Sequence, residues 1–254
     1  MTQTPPERMP VTPVPAATLL LLRDSPGGIQ VLLTARHDAA GFAAGATVFP
    51  GGKLDESDHA RDADHSGLRV AAIRETFEEC GILLARRAAD GTMLTDAGLS
   101  ELLARQSSGT DFGRFIDRAG LALATELLVP FAHWITPADQ RKRFDTHFFL
   151  APAPADQVAR HDGREAVVVH WMTPEGAIAA ARRGEIKLVL PTRLNLLKLG
   201  RSKTVAEALD AARRAEIVTV QPEMVETADG PAFRIPAAAD YGVTEVLVSS
   251  YRRA

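Results

Sequence analysis

The sequence predicts an α/β protein, on two observations. Apolar runs of strand length recur from the first twenty residues to the C-terminal quarter, and segments with helical spacing fall between them. A length of 254 residues corresponds to one large domain, or to one domain carrying an insertion. Hydrophobic residues make up 46% and charged residues 24%, a balance that supports a core and excludes a disordered or collagen-like chain. The net charge of -3 argues against a nucleic-acid partner, because such binding needs a basic surface to replace counterions. Cys80 is the single cysteine, so an internal disulfide and a multi-cysteine zinc site are both excluded.

The elements follow in order. Residues 1 to 15 are polar and proline-rich and read as a flexible arm, with one domain over 16 to 254. Ala16 to Leu22 and Ile29 to Thr34 are strand-length apolar runs around Ser25-Pro26-Gly27-Gly28, a hairpin signal. Thr47 to Phe49 is a short strand stopped by Pro50-Gly51-Gly52, and the acidic stretch 53 to 66 reads as a loop. A helix is expected from Gly67 to Cys80, capped by Ser66 and ended by a left-handed Gly81 with Ile82 behind it. Helical spacing returns from Leu99 to Ala124, within an expected helical insert of about 90 to 125. Strands are predicted at Leu127 to Trp134, Phe144 to Ala151 and Val167 to Trp171. Helices are predicted at Pro174 to Arg183, Leu194 to Leu199 and Val205 to Arg214. Val218 to Val225 and Ala232 to Ile235 flank Asp229-Gly230, a hairpin at about 215 to 236. Ala16 to Leu22 is too short to span a bilayer and lacks a cleavage pattern after it, and the last residues form no peroxisomal address. No membrane association and a cytoplasmic location are therefore expected.

The chemistry concentrates in Arg74-Glu75-Thr76-Phe77-Glu78-Glu79-Cys80-Gly81-Ile82. With Ile73 at zero on a helical wheel, Val70, Phe77 and Cys80 fall within about 60° of it, and Glu75, Glu78 and Glu79 fall near roughly 200°, 140° and 240°. An apolar face thus opposes three carboxylates. Like charges three and four residues apart cost about 0.2–0.5 kcal/mol each, a repulsion that a divalent cation removes. The seven histidines form no metal-binding spacing, and His133, His147 and His170 read as core or pocket residues.

Phe49-Pro50-Gly51-Gly52, an acidic loop, and Arg74 to Ile82 together resemble the box of the Nudix hydrolases. Every fixed position of the second half is matched, with Thr76 at a usually apolar site. In the first half Asp58 stands where the family has glutamate, and fifteen residues instead of seven separate it from Arg74. A box lengthened in this way resembles the branch of the peroxisomal coenzyme A diphosphatases. So do Phe131 to Pro137, Arg143-Phe144-Asp145-Thr146-His147-Phe148-Phe149 and Leu190-Pro191-Thr192. Leu32-Leu33-Thr34-Ala35-Arg36, Gly45 and Phe49 to Gly52 match that branch's coenzyme motif, whereas His37 and Gly41 depart from it.

The resemblance implies an α/β/α sandwich around a mixed sheet. It also implies metal-dependent hydrolysis of a diphosphate linkage in a nucleoside-diphosphate derivative, coenzyme A or acyl-CoA among them. Glu75, Glu78 and Glu79 would hold Mg2+ or Mn2+. Glu75 would deprotonate the attacking water, with Glu165 as the candidate from a distant loop. Arg36, Gly51 and Gly52 would meet the substrate, and Asp58 would pair with Arg74 to brace the loop. The alternative is a non-catalytic nucleotide-binding regulator on the same scaffold, and a homodimer stays open.

Overall fold

In the computed structural model, residues 11–36, 45–61, 66–105, 111–160 and 166–252 are described. The leucine run of the first strand sets the layout. In β1 (Val14–Ser25), Leu19 and Leu21 point to one side and Leu20 and Leu22 to the other, and all four are buried. A strand apolar on both faces needs cover on both, so it belongs at the centre of a layered sheet.

A turn at Gly28, whose φ of 102° suits glycine, returns the chain into β2 (Gly28–Arg36). β1 and β2 pair from Leu22↔Val31 to Ser25↔Gly28 and then diverge. Two short strands fill the fork: β3 (Ala46–Val48) pairs with β2, and β4 (Gly51–Lys53) pairs with β1. Pro50-Gly51-Gly52 therefore turns the chain onto a new strand and does not simply end one. Helix α1 (Leu68–Cys80) follows. Next come β5 (Ala85–Arg87), α2 (Asp96–Ala104), α3 (Phe112–Arg118) and β6 (Leu121–Leu123), where β5 and β6 pair apart from the main sheet.

The chain rejoins the sheet with β7 (Val129–Ile135), β8 (Phe144–Pro152) and β9 (Ala166–Met172). It continues through α4 (Pro174–Arg182), β10 (Lys187–Leu188), α5 (Leu190–Leu199), α6 (Val205–Arg214) and β11 (Thr219–Val220). It then forms a small separate sheet of β12 (Glu223–Thr227), β13 (Gly230–Arg234) and β14 (Glu245–Leu247). Among the described residues the main sheet runs β10-β3-β2-β1-β8-β7-β11, with β4 and β9 also attached, and it mixes parallel and antiparallel pairs. One buried cluster gathers α4, α5 and α6 on one face of it, and a second gathers α1, α2 and α3 on the other. The architecture is a mixed sheet between two helical layers.

Several boundaries differ from the sequence expectation for local reasons. Ser66 is not the cap: Gly67, at φ 72°, takes that position without a side-chain cap, and the Ser66 hydroxyl accepts a long 3.3 Å bond from the Leu68 amide. The stretch expected as loop contains a 3-10 turn at Glu56–Arg61. Pro222 splits the expected Val218 to Val225 strand, because proline cannot donate to the ladder; the pieces become β11 and β12 in different sheets. Pro191 lies in the first turn of α5, where its missing amide is harmless, so that helix starts at Leu190. Of the expected arm, residues 1 to 10 lie outside the described residues, and Val14 and Pro15 already belong to β1.

Candidate active site

Helix α1 ends at Gly81, whose φ of 69° places it in the left-handed region while its amide bonds the Phe77 carbonyl at 2.8 Å. The helix is buried over more of its circumference than the wheel predicts. Val70, Ala71, Ala72, Ile73, Thr76, Glu79 and Cys80 are all buried, and Phe77 is only half-buried, stacked on Phe115 of α3. The sheet covers one side of the helix and the inserted elements cover another. The acids consequently do not share one solvated face. Glu79 is 5% exposed, whereas the side chains of Glu75 and Glu78 are 14% and 47% exposed.

Glu75 lies against the fork of the sheet. A Cβ on Gly52 would sit 2.4 Å from the Glu75 Cδ and 2.5 Å from both of its oxygens, so any larger residue there would push this carboxylate from its present position. A Cβ on Gly51 would meet the Ala17 carbonyl at 2.5 Å, so both glycines answer to close approach, one to a strand and one to a functional side chain.

Arg74 ties the region together with every donor it has. Nε and Nη2 bond the two carboxylate oxygens of Asp58 at 3.0 and 2.9 Å, and Nη2 also bonds the Lys53 carbonyl. Nη1 bonds Glu75 at 2.8 Å and Glu78 at 3.1 Å. Burial alone would lower the Arg74 pKa, but hydrogen bonding to Asp58 and the charges of Glu75 and Asp58 raise it well above the ordinary guanidinium value. Asp58 is 1% exposed and also accepts from the Asp55 amide at 2.8 Å. The aspartate substitution and the lengthened loop leave this brace intact. Beyond it, Arg61 reaches Asp117 of α3 through two bonds of 2.7 Å, joining the lengthened loop to the insert.

Three carboxylates are the ligand chemistry a hard divalent cation takes, and the bare Gly52 backbone leaves the space that Glu75 fills. Their ligand atoms do not converge on one point here: Glu75 and Glu78 share Arg74 Nη1, and among the described residues the three-ligand group that does converge lies on the strands. A cleft of about 340 Å³ lies beside the exposed end of the set, between Phe77, Glu78 and Gly81 of the helix region, Leu99 and Leu103 of the insert, and Arg160.

The other sequence candidates fare differently. Glu165 lies outside the described residues, and Arg36 ends β2 with its side chain outside them. Leu32, Leu33 and Thr34 of the coenzyme motif are buried in β2, so that part of the motif is strand packing. Of the histidines expected in the core or a pocket, His170 is exposed, and His133 and His147 are partly exposed and stacked on each other.

A family model described as the NUDT19 Nudix domain matches residues 63–199, more than half of the chain. A crystal structure of a Nudix hydrolase from Alicyclobacillus acidocaldarius superposes with a TM-score of 0.70 at 30% identity, covering 79% of this chain and 96% of that one. The human acyl-coenzyme A diphosphatase NUDT19 is 27% identical, with 92% of this chain and 74% of the relative aligned. The Xenopus laevis protein of the same name is also 27% identical, over 67% of this chain. The chain spans 59% of that Xenopus relative and 57% of a Caenorhabditis elegans nudix relative.

Proposed function

This chain belongs to the Nudix hydrolase family, in the group of the NUDT19 Nudix domain, and from that premise we propose that it hydrolyses the diphosphate linkage of a nucleoside-diphosphate derivative, with coenzyme A or an acyl-CoA as the favoured substrate. The observation that carries this reading is the bare backbone of Gly52 against the Glu75 carboxylate, with Glu78 and Glu79 on the same helix. The acyl-CoA preference draws on what the human and Xenopus relatives are named for.

In this reading Glu75, Glu78 and Glu79 hold Mg2+ or Mn2+. Such a cation supplies positive charge opposite the diphosphate oxygens and acidifies water at the site. Glu75, held by Arg74 Nη1, takes a proton from the attacking water at its carboxylate oxygen. Glu165 is the second candidate for that proton. Arg74, fixed by Asp58, sets the direction of Glu75 and Glu78, while Gly52 leaves room for the Glu75 carboxylate and Gly51 for β1 beside the substrate phosphates they would meet. Arg36 would meet a substrate phosphate from the end of β2. The cleft between Phe77 and the insert is the place for a bulky or acyl portion of the substrate.

Among the described residues no helix is long and apolar enough to cross a membrane, and a cytoplasmic location and a homodimer stay within this proposal. The test is turnover of coenzyme A, acyl-CoA, nucleotide-sugar and dinucleotide substrates with magnesium, with manganese and with EDTA. Release of a phosphorylated fragment that EDTA abolishes is the expected result. Binding without turnover across the whole panel would overturn it in favour of a regulatory module.

A further inference from the structure

The strand register builds a second cluster on the same face of the sheet. Gly52, Ala17, His147, His133 and Thr219 are successive partners across β4, β1, β8, β7 and β11. Directly paired residues point to one side of a sheet, and Ala17 lies in the core on the α1 side. His147 and His133 therefore face the α1 side, two and three strands from the backbone that cradles Glu75. At the usual spacing of about 4.8 Å per strand, the His147 backbone is about 10 Å from that of Gly52, and among the described residues no glutamate of α1 joins the converging group. Asp145, two residues before His147, projects to the same side.

These three side chains converge. The rings of His133 and His147 stack with centroids 4.1 Å apart, and both Nε2 atoms approach the same Asp145 oxygen, at 2.5 and 3.8 Å. One ligand atom from each of the three residues lies within 4.8 Å of the other two. On the far side of the His133 ring, Nδ1 is 2.8 Å from the Thr219 hydroxyl. From these contacts we propose that His133, Asp145 and His147 form a binding site for a borderline divalent transition metal, of the Zn2+, Co2+ or Ni2+ class, separate from the carboxylate site on α1.

Three features of the chemistry carry the assignment. Two ligands about 2.0–2.1 Å from a tetrahedral ion are about 3.3 Å apart, and the two observed Nε2 to carboxylate separations bracket that value. Imidazole nitrogen with one carboxylate selects ions of this class over magnesium and calcium, which prefer all-oxygen sets. Thr219 supplies the outer contact such a site needs. A hydroxyl both donates and accepts, so His133 can give its Nε2 proton to Asp145 without metal. With metal it can carry the proton on Nδ1 toward Thr219, leaving the Nε2 lone pair to the ion. Asp145 and His147 are 36% and 37% exposed, which leaves room for a further ligand on the solvent side.

The test is calorimetric titration of EDTA-stripped full chain with Zn2+ in millimolar Mg2+, repeated with Co2+ and read by its visible absorption. We expect one Zn2+ equivalent to persist against the magnesium. His147→Gln and Asp145→Asn should each weaken it at least about tenfold, with Thr219→Val a smaller loss in the same direction. Glu79→Gln should leave it unchanged. If Asp145→Asn fails to fold, His147→Gln at its partly exposed ring decides the matter. No zinc uptake in magnesium, or uptake that His147→Gln does not weaken, overturns the proposal. Because the readout is metal uptake, its failure is distinct from failure of the diphosphatase reading.

Discussion

The glutamates of α1 and the histidine pair of β7 and β8 occupy the same side of the same sheet, yet they are assembled in opposite ways. Glu75, Glu78 and Glu79 are placed on one helix by sequence spacing alone, within five consecutive residues. His133 and His147 are fourteen positions apart and meet because β7 and β8 pair in one particular register, while Thr219 arrives from much further along the chain. The helical cluster needs an outside brace, Arg74 on Asp58, to aim charges that would otherwise repel. The strand cluster is aimed by its own pairing and by one hydroxyl. A site made by local periodicity depends on what surrounds it for orientation. A site made by strand register depends on that register for its existence, since a one-residue slip would turn every one of its side chains to the other face.

The sharpest way to separate the two is to disable one and read both. Glu75→Gln should lower kcat on a cleaved diphosphate by about 10²–10⁴-fold, the range for losing a general base, with zinc uptake unchanged. Full activity in that variant would remove Glu75 from the chemistry. Gly52→Ala should reduce kcat/KM by about 10²-fold, because its methyl group displaces the Glu75 carboxylate by more than an ångström from its present position. Normal kinetics there would mean that the cradle is not what holds Glu75.

Breaking the brace tests its structural share. Asp58→Ala leaves Arg74 with fewer partners in a largely buried position and should cost about 3 kcal/mol of stability, read by urea unfolding. A loss below about 1 kcal/mol would show that Glu75 and Glu78 suffice to satisfy the guanidinium. The smallest effect belongs to Arg61→Ala. Its partner Asp117 is largely exposed, and removing the pair should cost less than about 1 kcal/mol by the same measurement. A larger loss would make the link between loop and insert a structural element in its own right.

Much of the first region was readable in advance, and the reasons are local. The glycine that ends α1, the carboxylate spacing and the Asp58–Arg74 pair are each specified by residues close in sequence or by a family pattern. Exposure, by contrast, is not a local property. The wheel places Glu79 on an open acidic face, yet it is buried, because the helix packs against both the sheet and the inserted elements and not on one surface alone. The surroundings of the histidines escape the sequence for a related reason. His133 and His147 alternate with apolar neighbours and so look like core positions, but alternation says only that they share a side, and it does not say whether that side is covered at their end of the sheet.

The sequence by itself determined the long strands β1, β2, β7, β8 and β9 and a helix bearing three acids and one arginine, because propensity, periodicity and turn chemistry act over a few residues; Leu121–Leu123, inside the stretch expected to be helical, is a strand because β5 pairs with it. The tertiary structure alone decided that β3 and β4 would wedge between β1 and β2, that Gly52 would cradle Glu75, and that two histidines and an aspartate would converge beside them. Those outcomes depend on which strands pair and in what register, and register is set by the summed burial of a whole sheet, which no short stretch of sequence contains.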